Sequence, residues 1–145
     1  PDGRMYESRF DKLQESEANL LGVVFSFSGI MTAAPYQVLD ADHWCFEGTG
    51  LKNGDTFGKE SLHQRIPGGA SGHETDKISA QSPPNSRLLA KGLNPDEGGA
   101  EIVVHEPGGG GAVFSVGSIC WPASILVDDG VSKITENVIR RFTAD

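Results

Sequence analysis

The densest group of side chains able to do chemistry is Gly68-Gly69-Ala70-Ser71-Gly72-His73-Glu74-Thr75-Asp76-Lys77. Glu74 and Asp76 stand two residues apart behind a run of glycines. A flexible loop of this kind brings a carboxylate, or its own backbone amides, to a ligand. The chemistry open to such a carboxylate is proton transfer to and from a reacting group. The same residues also read as a glycine turn followed by a helix start, with Glu74 and Asp76 favouring the dipole of its first turn.

Other chemistries find less support. The four histidines, His43, His63, His73 and His105, include no HExxH and no pair at i and i+4, and CxxC is absent, so no metal site is expected from this chain alone. Phe25-Ser26-Phe27-Ser28-Gly29 lacks the first glycine of a serine nucleophile elbow. Cys45 and Cys120 each sit beside a tryptophan in an apolar run, which suits buried free thiols, and Trp44 and Phe46 mark Cys45 as a packing residue, not a partner of His43. Gly108 to Gly111 lacks the GK[ST] of a phosphate loop and reads as a hairpin tip.

The elements that position the acidic segment follow from pattern. Leu20 to Phe27 is a short continuous apolar run, which predicts a strand buried on both faces. Tyr36-Gln37-Val38-Leu39 predicts a second strand, and His43-Trp44-Cys45-Phe46 an apolar knot between acidic turns. Gly48 to Gly72 predicts a long loop, and His73 to Ala80 one or two helical turns stopped by Pro83-Pro84. Strands follow at Arg87 to Ala90, Glu101 to Glu106 and Ala112 to Ile119, the last two as a hairpin across the glycines. Val131, Ile134, Val138, Ile139 and Phe142 mark one face of a C-terminal amphipathic helix, capped by Asp128 or Asp129, with Arg140 and Arg141 in its last turn. The expected class is α/β in one domain, residues 20–145, after a polar segment 1–19 in which Phe10 and Leu13 allow at most a short helix.

The whole-chain balance narrows the partners. A net charge of −8 across 145 residues repels phosphate backbones and anionic lipid. No window approaches a membrane span, and the N-terminus lacks a signal peptide's apolar run, so a soluble cytoplasmic chain is expected. Pro1 in place of a methionine leaves a processed, a trimmed and an excised chain all open.

A longer pattern carries a resemblance. Gly111 to Ile119, Trp121 and Val131 to Phe142 closely resemble the end of the large (beta) subunit of N,N-dimethylformamidases. Leu21 to Phe25, Ala34-Pro35-Tyr36, the Gly68 to Lys77 segment and Ser82-Pro83-Pro84 extend it from about Leu20 to Phe142. The insertion typical of that family after the strand near Leu88 is shortened here to Gly92 through Gly99.

The resemblance implies the C-terminal part of a fold similar to the class I glutamine amidotransferase-like sandwich. It implies hydrolysis of a formamide C–N bond with a mononuclear iron, whose two tyrosine and one glutamate ligands lie upstream of the matched region. By position, Glu74 maps to a glutamate near that site. Asp76 and His73 stand as further catalytic candidates, and Asp76 with Lys77 as a local ion pair fixing the loop. A small amide substrate, an oligomer, and a partner in the upstream polypeptide or another subunit follow. The isolated chain would then be inactive. The alternative is a noncatalytic binding or assembly module that kept the scaffold.

Overall fold

A computed structural model describes residues 15–107 and 109–144. The segment containing Phe10 and Leu13 lies outside them. The elements run α1 (Ala18–Leu21), β1 (Val24–Ser26), β2 (Ala33–Ala34), β3 (Tyr36–Val38), β4 (Thr56–Phe57), β5 (Ser71–Gly72), β6 (Thr75–Lys77), β7 (Arg87–Gly92), β8 (Glu101–His105), β9 (Val113–Ser115) and α2 (Asp129–Thr143). Short 3-10 turns occupy Trp44–Phe46 and Trp121–Ala123.

The central sheet has the order β4-β3-β7-β8-β9, every pair antiparallel. The expected hairpin forms: Val103 faces Ser115 and His105 faces Val113. Within β8, Ile102 and Val104 join the main core, while Val103 and His105 alternate to the other face. There His105 Nε2 bonds the carbonyl of Leu20 at 2.8 Å, so the segment around α1 covers part of the second face.

Helix α2 closes the main core. Val131 and Ile134 are fully buried, and Val138 packs beside them, as the helical periodicity predicts. Asp128 caps the helix by accepting from the Val131 amide at 3.1 Å, and its second oxygen accepts from the Lys59 amide at 2.9 Å. Asn137 donates to the carbonyls of Cys45 and Glu47, at 2.9 and 2.8 Å, tying the Trp44–Phe46 turn to the helix. Tyr36, Phe57 and Trp121 form an aromatic triangle with centroids 5.6 to 6.2 Å apart, mostly edge-to-face. Both cysteines are free and buried, and burial pushes the Cys45 thiol up to about 12.

Two expectations fail here. Leu20 to Phe27 is not one doubly buried strand: its first residues complete α1, Gly22 ends that helix with φ 79°, and β1 is only half-buried. Of its residues Val23 is buried, whereas Leu20, Leu21 and Phe27 are exposed. The helical turns expected over His73 to Ala80 are absent, and Thr75–Lys77 is a strand. Strand pairing on both sides of it overrides the local helix preference of its carboxylates.

The resulting architecture is mixed and sheet-rich, with one long C-terminal helix, compatible with the expected α/β class.

Candidate functional site

The acidic segment lies on a two-strand ribbon beside the central sheet. β2 pairs with β5 (Ala33 with Gly72, Ala34 with Ser71), and β1 pairs with β6 (Ser26 with Thr75, Val24 with Lys77). Between these pairings the His73 amide donates to the Thr32 carbonyl at 2.9 Å and the Met31 amide to the His73 carbonyl at 3.1 Å. The chain between β5 and β6 therefore stays hydrogen-bonded to residues 31–32 and is kinked at His73, whose φ is 72°. Gly72 is required by close approach: a Cβ there would run into the backbone of Thr32 and Ala33.

The ribbon is anchored through hydroxyls and amides. Ser118 Oγ donates to the Ala70 carbonyl at 2.7 Å and accepts from the Gly72 amide at 2.8 Å, and Thr75 bridges to Ser118 through the backbone. Buried Asn94 donates to Thr32 Oγ1 at 2.8 Å and to the Ser71 carbonyl at 3.1 Å, and Ser71 Oγ donates to Asn94 Oδ1 at 2.6 Å. A polar network with its partners in place holds one backbone geometry. The segment that carries Glu74 is thus rigid where it meets the sheet.

Glu74 itself is exposed, and Asp76 is half-buried. Burial, then repulsion by the nearby Glu74 and Glu17 carboxylates, raises the Asp76 pKa above the ordinary aspartate value, with Lys77 opposing. Two carboxylates in differing environments, one tuned upward, are a pattern found in proton-transfer sites.

The expected Asp76–Lys77 ion pair does not form. Consecutive strand residues point to opposite faces. Lys77 Nζ instead donates to the Ser28 carbonyl at 3.0 Å, to Thr75 Oγ1 at 3.1 Å and to the Gly98 carbonyl at 3.4 Å. Desolvation lowers its pKa, and its role is to clasp three chain segments.

His73 packs against His63, ring centroids 5.4 Å apart and nearly perpendicular, and its Nδ1 is buried without a hydrogen-bond partner. His63 Nδ1 accepts from the Ile66 amide at 3.0 Å, which fixes that ring. His63 went unrecognised as a neighbour of the site because the loop that carries it has no periodicity, and only the tertiary fold brings it to His73. Among the described residues, no three His, Cys, Asp or Glu side chains converge as a metal-binding group. No helix among them is long and apolar enough to cross a membrane.

Residues 2–133 match the family described as N,N-dimethylformamidase beta subunit-like, C-terminal, and the chain belongs to that family. It is similar to the N,N-dimethylformamidase beta subunits of an Alcaligenes species and of Paracoccus aminophilus, each 29% identical over 149 residues and 83% of this chain. It spans 19% of the length of each of these curated relatives.

Proposed function

We propose that this chain is the C-terminal portion of a linear-amide hydrolase and supplies the Glu74 carboxylate to a site completed by the rest of a longer polypeptide. The observation that carries the reading is the coincidence of family membership with an exposed Glu74 on a rigidly anchored strand. Amide hydrolysis consumes one water: the water oxygen bonds to the carbonyl carbon, the C–N bond breaks, and the departing nitrogen takes a proton. Glu74 would accept the proton from the attacking water and return it to the amine nitrogen. Asp76 would stand beside Glu74 as a second carboxylate, and His73 would flank Glu74 as a further polar contact for the small amide.

The resemblance supports the rest of the reading. The iron would be held by two tyrosines and a glutamate outside this chain, where it would polarise the amide carbonyl. The upstream polypeptide, or another subunit, would complete a class I glutamine amidotransferase-like sandwich in a cytoplasmic oligomer.

The test compares the gene's full polypeptide with the 145-residue chain for iron content and for hydrolysis of dimethylformamide and other small formamides. Iron and turnover in the full polypeptide alone are expected. A full polypeptide that folds, yet neither binds iron nor cleaves any small linear amide, would instead support a noncatalytic assembly module.

A further inference from the structure

Seven residue steps separate Ser26 from Ala33 on one strand of the ribbon, but three separate Gly72 from Thr75 on the other. The four-residue excess falls within residues 27–31, which bulge out opposite His73 and Glu74, with the Met31 amide still held by the His73 carbonyl. Bulges beside functional sites re-aim the chain and its side chains. This one is tied down at several points. Thr32 Oγ1 donates to the Gly29 carbonyl at 2.6 Å, Lys77 holds the Ser28 carbonyl, and Gly29, at φ 85°, abuts the backbone of Gly98 so closely that no Cβ fits.

A loop so firmly held would be expected to turn its apolar side chains inward. Instead Phe27 is 79% exposed, Ile30 42% and Met31 46%. Phe25 packs edge-to-face on Phe27 at 4.9 Å, which further restricts a ring that faces water. Large apolar side chains held rigid before binding are how interface anchors are built, because little rotamer freedom is left to lose on association.

The occupant follows from the length of the relatives. The chain spans 19% of the length of its curated relatives, and the remainder of such a polypeptide is the surface nearest to hand to cover this loop. The strand register sets the bulge opposite Glu74, so a surface that covers the bulge also lies beside that residue. Resting on the function proposed above, we infer that residues 27–31 are the docking knob for the part of the large-subunit polypeptide N-terminal to this chain. Phe27, Ile30 and Met31 would enter an apolar socket, and cations on the socket's rim would answer Glu74 and Asp76.

A photo-crosslinking p-benzoylphenylalanine placed at position 27 of the full polypeptide tests this directly. Irradiation and peptide mapping are expected to find cross-links to sequence N-terminal to this chain. Cross-links confined to residues 1–14, to an isotopically distinct second copy or to another protein, or no cross-link at all, would overturn the inference. In the same polypeptide, Phe27→Asp is expected to lower small-amide turnover at least ~tenfold, as loss of an interface anchor does. The two readings fail separately. A full polypeptide without amidase activity whose probe still cross-links upstream overturns the proposed function alone; an active one that cross-links elsewhere overturns the docking alone.

Discussion

The sheet with α2 and the ribbon with its bulge are built from the same chain on opposite principles. In the first, apolar side chains meet one another: Tyr36, Phe57, Trp121, Val131 and Ile134 are buried together, and the polar atoms among them find partners, as Trp121 Nε1 does at Thr135 Oγ1, 3.1 Å away. In the second, the backbone is held by Ser71, Asn94, Lys77 and Ser118, while Phe27, Ile30, Met31 and Glu74 face solvent. Even so, the sheet and helix leave Ile139 and Phe142 of α2 exposed toward its C-terminal end. The ribbon is rigid and unfinished, which is the condition of a surface made for something else to complete.

Substitutions should therefore separate stability from activity. The largest stability effect belongs to the core: Trp121→Ala is expected to cost about 3 to 5 kcal/mol, through the cavity it leaves and the lost bond to Thr135, read by chemical denaturation. Tyr36→Phe should cost about 1 to 3 kcal/mol, because the fully buried hydroxyl donates to the Val116 carbonyl at 2.7 Å and its removal leaves that oxygen unpaired. Asp128→Ala removes the α2 cap and the bond to Lys59, for about 1 to 2 kcal/mol. Phe27→Ser in the 145-residue chain should stay within about 0.5 kcal/mol, although the same position is critical to docking in the full polypeptide. A large loss from Phe27→Ser would break the contrast.

Asp76 gives the smallest effect and a sign. Its folded-state pKa is raised, chiefly by burial and then by Glu74, so the native state binds its proton more tightly than the unfolded chain does. Stability from this group is present at low pH and is lost as pH rises from the unfolded aspartate value through the folded one. Asp76→Asn should thus raise the melting midpoint near about pH 7 and leave it unchanged near about pH 2, below the titration of both states. A destabilised Asn variant at neutral pH would mean that the carboxylate has a favourable partner.

How much of this was legible in the sequence depends on whether local pattern and tertiary context agree. Val131, Ile134 and Val138 announced α2, because a helix that packs on one face must repeat at that spacing. The β8–β9 hairpin was legible for a similar reason, two β-branched runs about a glycine turn. Leu20 to Phe27 misled because an apolar run does not say which element it forms: Gly22 divides it between the end of α1 and the short β1. His73 to Ala80 misled because Glu74 and Asp76 fit a helix start as well as a strand; pairing with Ser26, Phe25 and Val24 decided between them. Glu74 and Asp76 were visible as a concentration of acid behind glycines. The bulge opposite them was not, since a register offset exists only once two strands have paired.

Glu74 is the residue of this chain that would carry the proton transfer. The most direct measurement is the turnover of a small formamide by the full polypeptide carrying Glu74→Gln, with iron content and melting midpoint measured on the same sample. A loss of about 10² to 10⁴ in kcat with metal and stability unchanged is the predicted result. Turnover equal to that of the unsubstituted enzyme would contradict it, and would leave the ribbon a scaffold with no part in the chemistry.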